Sequence, residues 1–205
     1  MTTLGLVRRR LGTAVPPREE LIARHAAGRS FADVGCMWKV HGALCFAAED
    51  AGAASVTGVD VMAPSERFEA EIARRRSNVR FVEGDIHDPA TVAAVGPHEV
   101  VWCSGVVYHA PHPLLTLERL RELTTGTLLL ASETIPETPG RPGTCVIAPG
   151  PGDHPGARAP TGPGEGYGPW YWGITPSALR TMLALSGFEI VEEHRLPFHT
   201  TVVAR

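Results

Sequence analysis

Lysine is almost missing from this chain: Lys39 is the only one, and the rest of its 19 basic residues are arginine, set against 22 acidic ones for a formal charge of −3. Such a balance gives no broad basic field, so a long nucleic acid held by phosphate neutralisation is not an expected partner. Long apolar runs are missing too. None approaches the ~20 residues needed to cross a bilayer, which excludes a membrane span, and no apolar core follows the arginines of MTTLGLVRRRLG as a secretory signal would require. Cysteine is sparse: Cys36, Cys45, Cys103 and Cys145 fit neither a CxxC metal pattern nor a disulfide framework. Reduced packing thiols in a cytoplasm are the expectation. At 205 residues the chain suits one domain, 1–205, with a well-buried core.

What is present is an alternation of strand-like and helical runs. After Pro16 and Pro17, which close an N-terminal arm over 1–16, REELIARHAAG opens with acids, carries Leu21, Ile22 and His25 at helical spacing and stops at Gly28. FADV, VTGVDV, VRFVEG, EVVWCS and TLLLAS are short, rich in β-formers and each followed by a turn or helix signal. Between them, Val40, Ala43, Leu44 and Ala47 are expected to share one helical face, and Leu114, Leu117, Leu120 and Leu123 another. Thr175 and Pro176 start a further helix that carries Leu179, Met182 and Leu183 and ends before Gly187. FEIVEEH and HTTVVAR lie close enough to pair as an antiparallel hairpin at one edge of the sheet. Together these predict an α/β fold: a doubly wound, mostly parallel seven-stranded sheet with helices on both faces.

One segment breaks the alternation. From Pro136 to Gly166, 16 of 31 residues are Gly or Pro, which predicts a long loop over 136–166, either a lid over a site or an insertion without structure.

The candidate chemistry sits where strands end. In FADVGCMWKVHG a glycine lets the backbone approach a ligand and the next helix offers free N–H groups to a carboxylate. With Asp33 and Gly35 in place, it resembles the D-x-G-x-G-x-G loop of the class I S-adenosylmethionine-dependent methyltransferases, although Met37 and Lys39 stand at the second and third glycines and Gly42 is left for close helix packing. The resemblance runs from about Phe31 to Arg205. It implies that the loop, with Gly35 and Cys36, holds the methionine part of the cofactor while Asp33 faces its ammonium. Asp60, ending VTGVDVM beside Val61, would take the ribose hydroxyls, and Asp85 in VRFVEGDIHD the adenine amino group, with Ile86 over the ring. CSGVVYHAPHP is similar to the S-G-V-L-Y-H segment of bacterial small-molecule methyltransferases and of tRNA wobble-uridine modifiers, which places Ser104 at the cofactor pocket and Tyr108 and His109 at the carboxyl edge of the sheet. A strand-end aspartate also serves as a turn former, and a lone glycine loop with a buried Asp cap is the structural alternative.

Methyl transfer asks a protein mainly to align the acceptor and exclude water, and a hydroxyl acceptor also needs its proton taken. His109 is the candidate base, with Glu133 and Tyr108 in reserve; a histidine there could equally cap its loop. His112, Tyr167, Trp170 and Tyr171 are candidate acceptor contacts, the aromatics serving either to stack on a sugar ring or to pin the loop. His109 and His112, joined by Asp153 and His154, have the side chains for a divalent ion such as magnesium, but their spacing fits no established ligand pattern, and no metal is assigned. The resemblance therefore implies an O-methyltransferase for a small molecule, a saccharide or secondary metabolite, open to dimerising with itself. The competing readings are a carbon or nitrogen methyltransferase of the same fold, a nicotinamide oxidoreductase, and a cofactor-binding protein without turnover. The Tyr-x-x-x-Lys pair of short-chain reductases is missing, since the one lysine lies in the first loop, and the Asn-Pro-Pro-Tyr motif of many amino-group methyltransferases is absent.

Overall fold

Each of the five strand-like runs forms a parallel strand: β1 Ser30–Val34, β2 Ser55–Asp60, β3 Arg80–Glu83, β4 His98–Ser104 and β5 Thr124–Glu133. They belong to a computed structural model that describes residues 15–147 and 172–205. Tyr167, Trp170 and Tyr171, like Asp153 and His154, lie outside the described residues. Helix α1 Arg18–Ala26 leads into β1, and α2 Ala43–Asp50, α3 Glu66–Arg75, α4 Pro89–Val95 and α5 Pro113–Leu123 are the crossovers. After β5 come β6 Cys145–Ile147, β7 Trp172–Ile174, α6 Pro176–Leu185, β8 Ile190–Leu196 and β9 His199–Ala204. The main sheet has seven strands in the order β3-β2-β1-β4-β5-β9-β8, with the last hairpin antiparallel as expected. From β1 the chain winds outward to β3 and then returns to β4 beside β1. The carboxyl ends of β1 and β4 thus border the switch point where open α/β sheets bind ligands.

Strand side chains alternate between two cores. Phe31, Trp102, Leu129 and Val203 pack under α1, α2 and α3, while Ala32, Cys103, Leu128 and Val202 pack under α4, α5 and α6. Helix starts follow the sequence signals closely. The Thr175 hydroxyl accepts from the Ala178 N–H with Pro176 in the first turn, and Asp88 and Ser65 cap α4 and α3 in the same way.

Three expectations need correction. Val40 precedes α2 and Ala43 is exposed; Leu44, Cys45, Phe46 and Ala48 are the buried residues, because the loop takes a further turn before the helix begins. In α5, Leu114 is exposed and only Leu117, Leu120 and Leu123 reach the core. The 136–166 segment is not loop throughout: Cys145–Ile147 pairs antiparallel with Trp172–Ile174 as a separate small sheet, since CVI is an apolar β-forming run between its glycines and prolines. Its remainder, 148–166, lies outside the described residues. Among the described residues no helix is long and apolar enough to cross a membrane.

Candidate active site

The loop from β1 to α2 is held from below. Gly35 has φ +84°, and a Cβ there would overlap the Val106 side chain of the β4–α5 loop, so glycine is required by both the backbone and the neighbour. Lys39 and His41 also take left-handed backbone, at φ 58° and 48°, which costs non-glycine residues of order 1 kcal/mol each. Hydrogen bonds from Gly42 N to Cys36 O (2.7 Å) and from His41 N to Met37 O (3.1 Å) offset this. Met37 turns its side chain into the core under α1 and α2, which is how the loop accommodates it without a second glycine.

Two of the three strand-end acids meet behind this loop. Asp33 is 1% exposed and accepts from the Cys45 thiol of α2 at 3.5 Å. Burial pushes its carboxyl up to about 7, against the Cys45 hydrogen bond, and the Asp60 charge pushes the same way. Asp60 spends its carboxylate on the backbone: Oδ2 accepts from Met37 N (2.7 Å) and Oδ1 from Met62 N (2.9 Å), while burial raises its pKa. Asp85 stands apart with His87 and Thr116. Its Oδ1 accepts from His87 N (2.8 Å) and lies 3.2 Å from His87 Nδ1, and His87 Nε2 contacts the Thr116 hydroxyl at 2.8 Å. Burial lowers the His87 pKa more than Asp85 raises it. Ile86 is buried in the core, Val61 and Ser104 are half-buried at their strand ends, and the Cys36 side chain faces inward beside Cys45, leaving its backbone to line the loop.

The acceptor candidates gather at the ends of β4 and β5. Tyr108 is 8% exposed, and its hydroxyl is hydrogen-bonded to the Glu133 carboxylate. Burial, with Glu133 second, holds the phenol well above its ordinary pKa, so Tyr108 stays protonated and serves as a donor. Its ring packs on His109 at 4.3 Å between centroids. His112 sits at the start of α5, 6.1 Å from the His87 ring, and among the described residues no three His, Cys, Asp or Glu side chains are grouped to hold a metal. Trp172 ties the Tyr-His loop to β7, its N–H donating to Tyr108 O (2.8 Å) and its indole to Ala110 O (2.9 Å). Trp172→Phe removes the second bond, and we expect about 1 kcal/mol lower stability and faster hydrogen exchange confined to 106–110; unchanged exchange there would mean the indole does not hold the loop.

No family model matches the chain, and no curated protein matches its sequence. Solved structures do match. The N-terminal domain of EvdMO1, crystallised in the presence of S-adenosylhomocysteine and D-fucose, superposes with a TM-score of 0.67 at 18% identity, over 91% of this chain and 79% of that one. Burkholderia thailandensis 1,6-didemethyltoxoflavin-N1-methyltransferase, with bound 1,6-didemethyltoxoflavin and S-adenosylhomocysteine, gives a TM-score of 0.66 at 19% identity over 92% of this chain and 76% of that one. The fold is that of the class I S-adenosylmethionine-dependent methyltransferases. The 4+2 cyclase SpnF shares it as well, at 0.64 and 17% identity over 91% and 79%, so in this fold the side chains at the rim decide the chemistry.

Within the class I methyltransferase fold, two residues that sequence reasoning passed over join the rim. His199, first in β9, pairs in register with Glu133, last in β5, and its Nε2 lies 3.0 Å from the Thr201 hydroxyl. Burial lowers its pKa, Arg18 adds to this, and Glu133 opposes it. Arg18, at the start of α1, acts electrostatically on each of Asp33, Tyr108 and His199. The pairing of β9 with β5 was the available signal for His199: antiparallel strands put the first residue of one beside the last of the other. No local pattern marks Arg18.

Proposed function

We propose that this chain binds S-adenosylmethionine and transfers its methyl group to a hydroxyl of a small molecule, a saccharide or secondary metabolite. The observation that carries this reading is the set of polar side chains at the carboxyl edge of the sheet, with Tyr108 hydrogen-bonded to Glu133 and His199 paired with Glu133 across β5 and β9, beside the β1/β4 switch point. The residues there suit the cofactor. Asp33 is a buried carboxyl that would face the ammonium, and the backbone closes tightly over Gly35. With about four lone-pair sites and backbone donors at Met37, Met62 and Val61, the Asp60 carboxylate keeps about one site for a ribose hydroxyl. Gly35, Cys36 through its backbone, Val61, Asp85, Ile86 and Ser104 complete the cofactor side.

When bound, the cofactor supplies an electrophilic methyl that already carries its leaving group. The chain's work is then to orient and to handle one proton. Tyr108, kept protonated, donates and fixes Glu133; His109, packed beside Tyr108, takes the acceptor's proton as its oxygen attacks. His112, with Tyr167, Trp170 and Tyr171 from beyond the described residues, would cover the acceptor. The reduced cysteines, all free among the described residues, suit a cytoplasmic enzyme.

Calorimetry tests the cofactor: S-adenosylhomocysteine should bind at micromolar concentration and NAD should not. His109→Ala should bind S-adenosylhomocysteine within about twofold of wild type and lose about a hundredfold in turnover, read as S-adenosylhomocysteine release with a panel of sugars that includes D-fucose. Full turnover in this variant points instead to a nitrogen or carbon acceptor, which needs no strong base, or to another residue as base.

A further inference from the structure

Glu133 and His199 are a cross-strand pair at the carboxyl rim, and side chains directly opposite on antiparallel strands share a face about 5 Å apart. Thr201, two residues along β9, is on the same face and fixes the His199 ring through Nε2. The other ring nitrogen, Nδ1, has no hydrogen-bond partner among the described residues. Beside the ring are Glu133 from β5 and Thr201 from β9, and burial, helped by the Arg18 charge, lowers its pKa and keeps it neutral at neutral pH. A neutral imidazole held at one nitrogen offers the other as donor or acceptor according to tautomer, and a hydroxyl can match either. A carboxylate has about four lone-pair sites, so Glu133 can accept from a hydroxyl as well as from Tyr108.

We propose that Glu133 and His199 grip a second hydroxyl of the acceptor, one that is not methylated, so that the acceptor is a polyhydroxylated molecule held at two points: one hydroxyl at His109 and a neighbouring one at the β5–β9 pair. This rests on the methyl-transfer reading and deepens it by naming the acceptor class. The grip sets specificity, because a site built to bind a hydroxyl strongly rejects an analogue without it: the polar groups there are left unpaired.

The test reads His199 directly. Full-length chain saturated with S-adenosylhomocysteine is treated with diethyl pyrocarbonate at neutral pH, and the peptide containing His199 is followed by mass spectrometry. The reagent needs a neutral, accessible ring nitrogen, so His199 should be modified. A panel of hexoses, deoxyhexoses including D-fucose, and inositol should contain protecting members, whereas cyclohexanol, with one hydroxyl, should not protect. An unreactive His199, protection by no polyol, or equal protection by cyclohexanol overturns the proposal. Protection repeated without S-adenosylhomocysteine separates the two readings: a chain that binds no cofactor yet is protected by polyols refutes methyl transfer and keeps the grip. With a sugar that supports turnover, His199→Gln and Glu133→Gln should raise KM about tenfold or more with kcat changed less than about threefold, the reverse of His109→Ala. An unchanged KM in both variants, with wild-type stability, would remove the pair from acceptor binding.

Discussion

Gly42→Ala is expected to lower the unfolding free energy by about 3 kcal/mol and to weaken S-adenosylhomocysteine binding with it. Two costs add. Gly42 has φ +74°, where a side chain brings of order 1 kcal/mol of strain. A Cβ there would also overlap the Phe68 ring, which has little room to move: it is 3% exposed and packed against Phe46 at 5.5 Å and Phe81 at 5.6 Å. Overpacking of that kind costs about 1–3 kcal/mol. Gly28→Ala is the control, because Gly28 has φ +70° with nothing within 4 Å of a new Cβ and should lose only the strain. Urea unfolding of both variants decides the matter. Equal losses would mean the Phe68 contact contributes nothing, whereas adding Phe68→Leu to Gly42→Ala should cost less than the two changes summed, since the smaller side chain makes the room.

Asp33→Asn should stabilise the fold at alkaline pH while weakening cofactor binding. In the folded chain Asp33 titrates at about 7, in the unfolded chain near 3.8. Between those values the folded state holds one proton more than the unfolded state, so this group's contribution falls as pH rises through the window, by at most about 4 kcal/mol. Above about pH 7 both states are ionised and the full penalty persists. Asparagine carries no charge to desolvate, so the variant should gain most at about pH 8, gain little at about pH 4, and show a shallower stability–pH curve. Asp60, also raised by burial, leaves a residual slope of the same sign. A variant curve parallel to wild type would show that Asp33 does not carry the penalty. If Asp33 faces the cofactor's ammonium as proposed, S-adenosylhomocysteine affinity should fall about tenfold or more in the same protein. Both outcomes together would mark Asp33 as a position where stability is held back for binding.

Much of the architecture was legible because it is written in local periodicities. Strand runs such as EVVWCS, the Thr175–Pro176 helix start and the closing hairpin each need only near neighbours to be recognised, and the parallel order follows from βα alternation. The errors came where a loop borrows its shape from elsewhere. Val40 and Ala43 read as a helical face until the Met37–Gly42 turn, held by Asp60 from another strand, delays the helix. Cys145–Ile147 read as loop because its β partner follows on the far side of a Gly/Pro-rich stretch.

The sequence by itself determined the class of fold, the strand ends that carry acids, and the Tyr108–His109 loop at the sheet's carboxyl edge, since each follows from spacing along the chain. Only the tertiary structure decided that Asp33 is buried against Cys45, that Asp60 braces the first loop, and that Glu133 has Tyr108 as hydrogen-bond partner and His199 as cross-strand neighbour. The reason is physical: burial, protonation and hydrogen-bond partnership depend on what lies across the sheet, and residues as far apart as Arg18 and His199 become neighbours only when β9 is laid against β5.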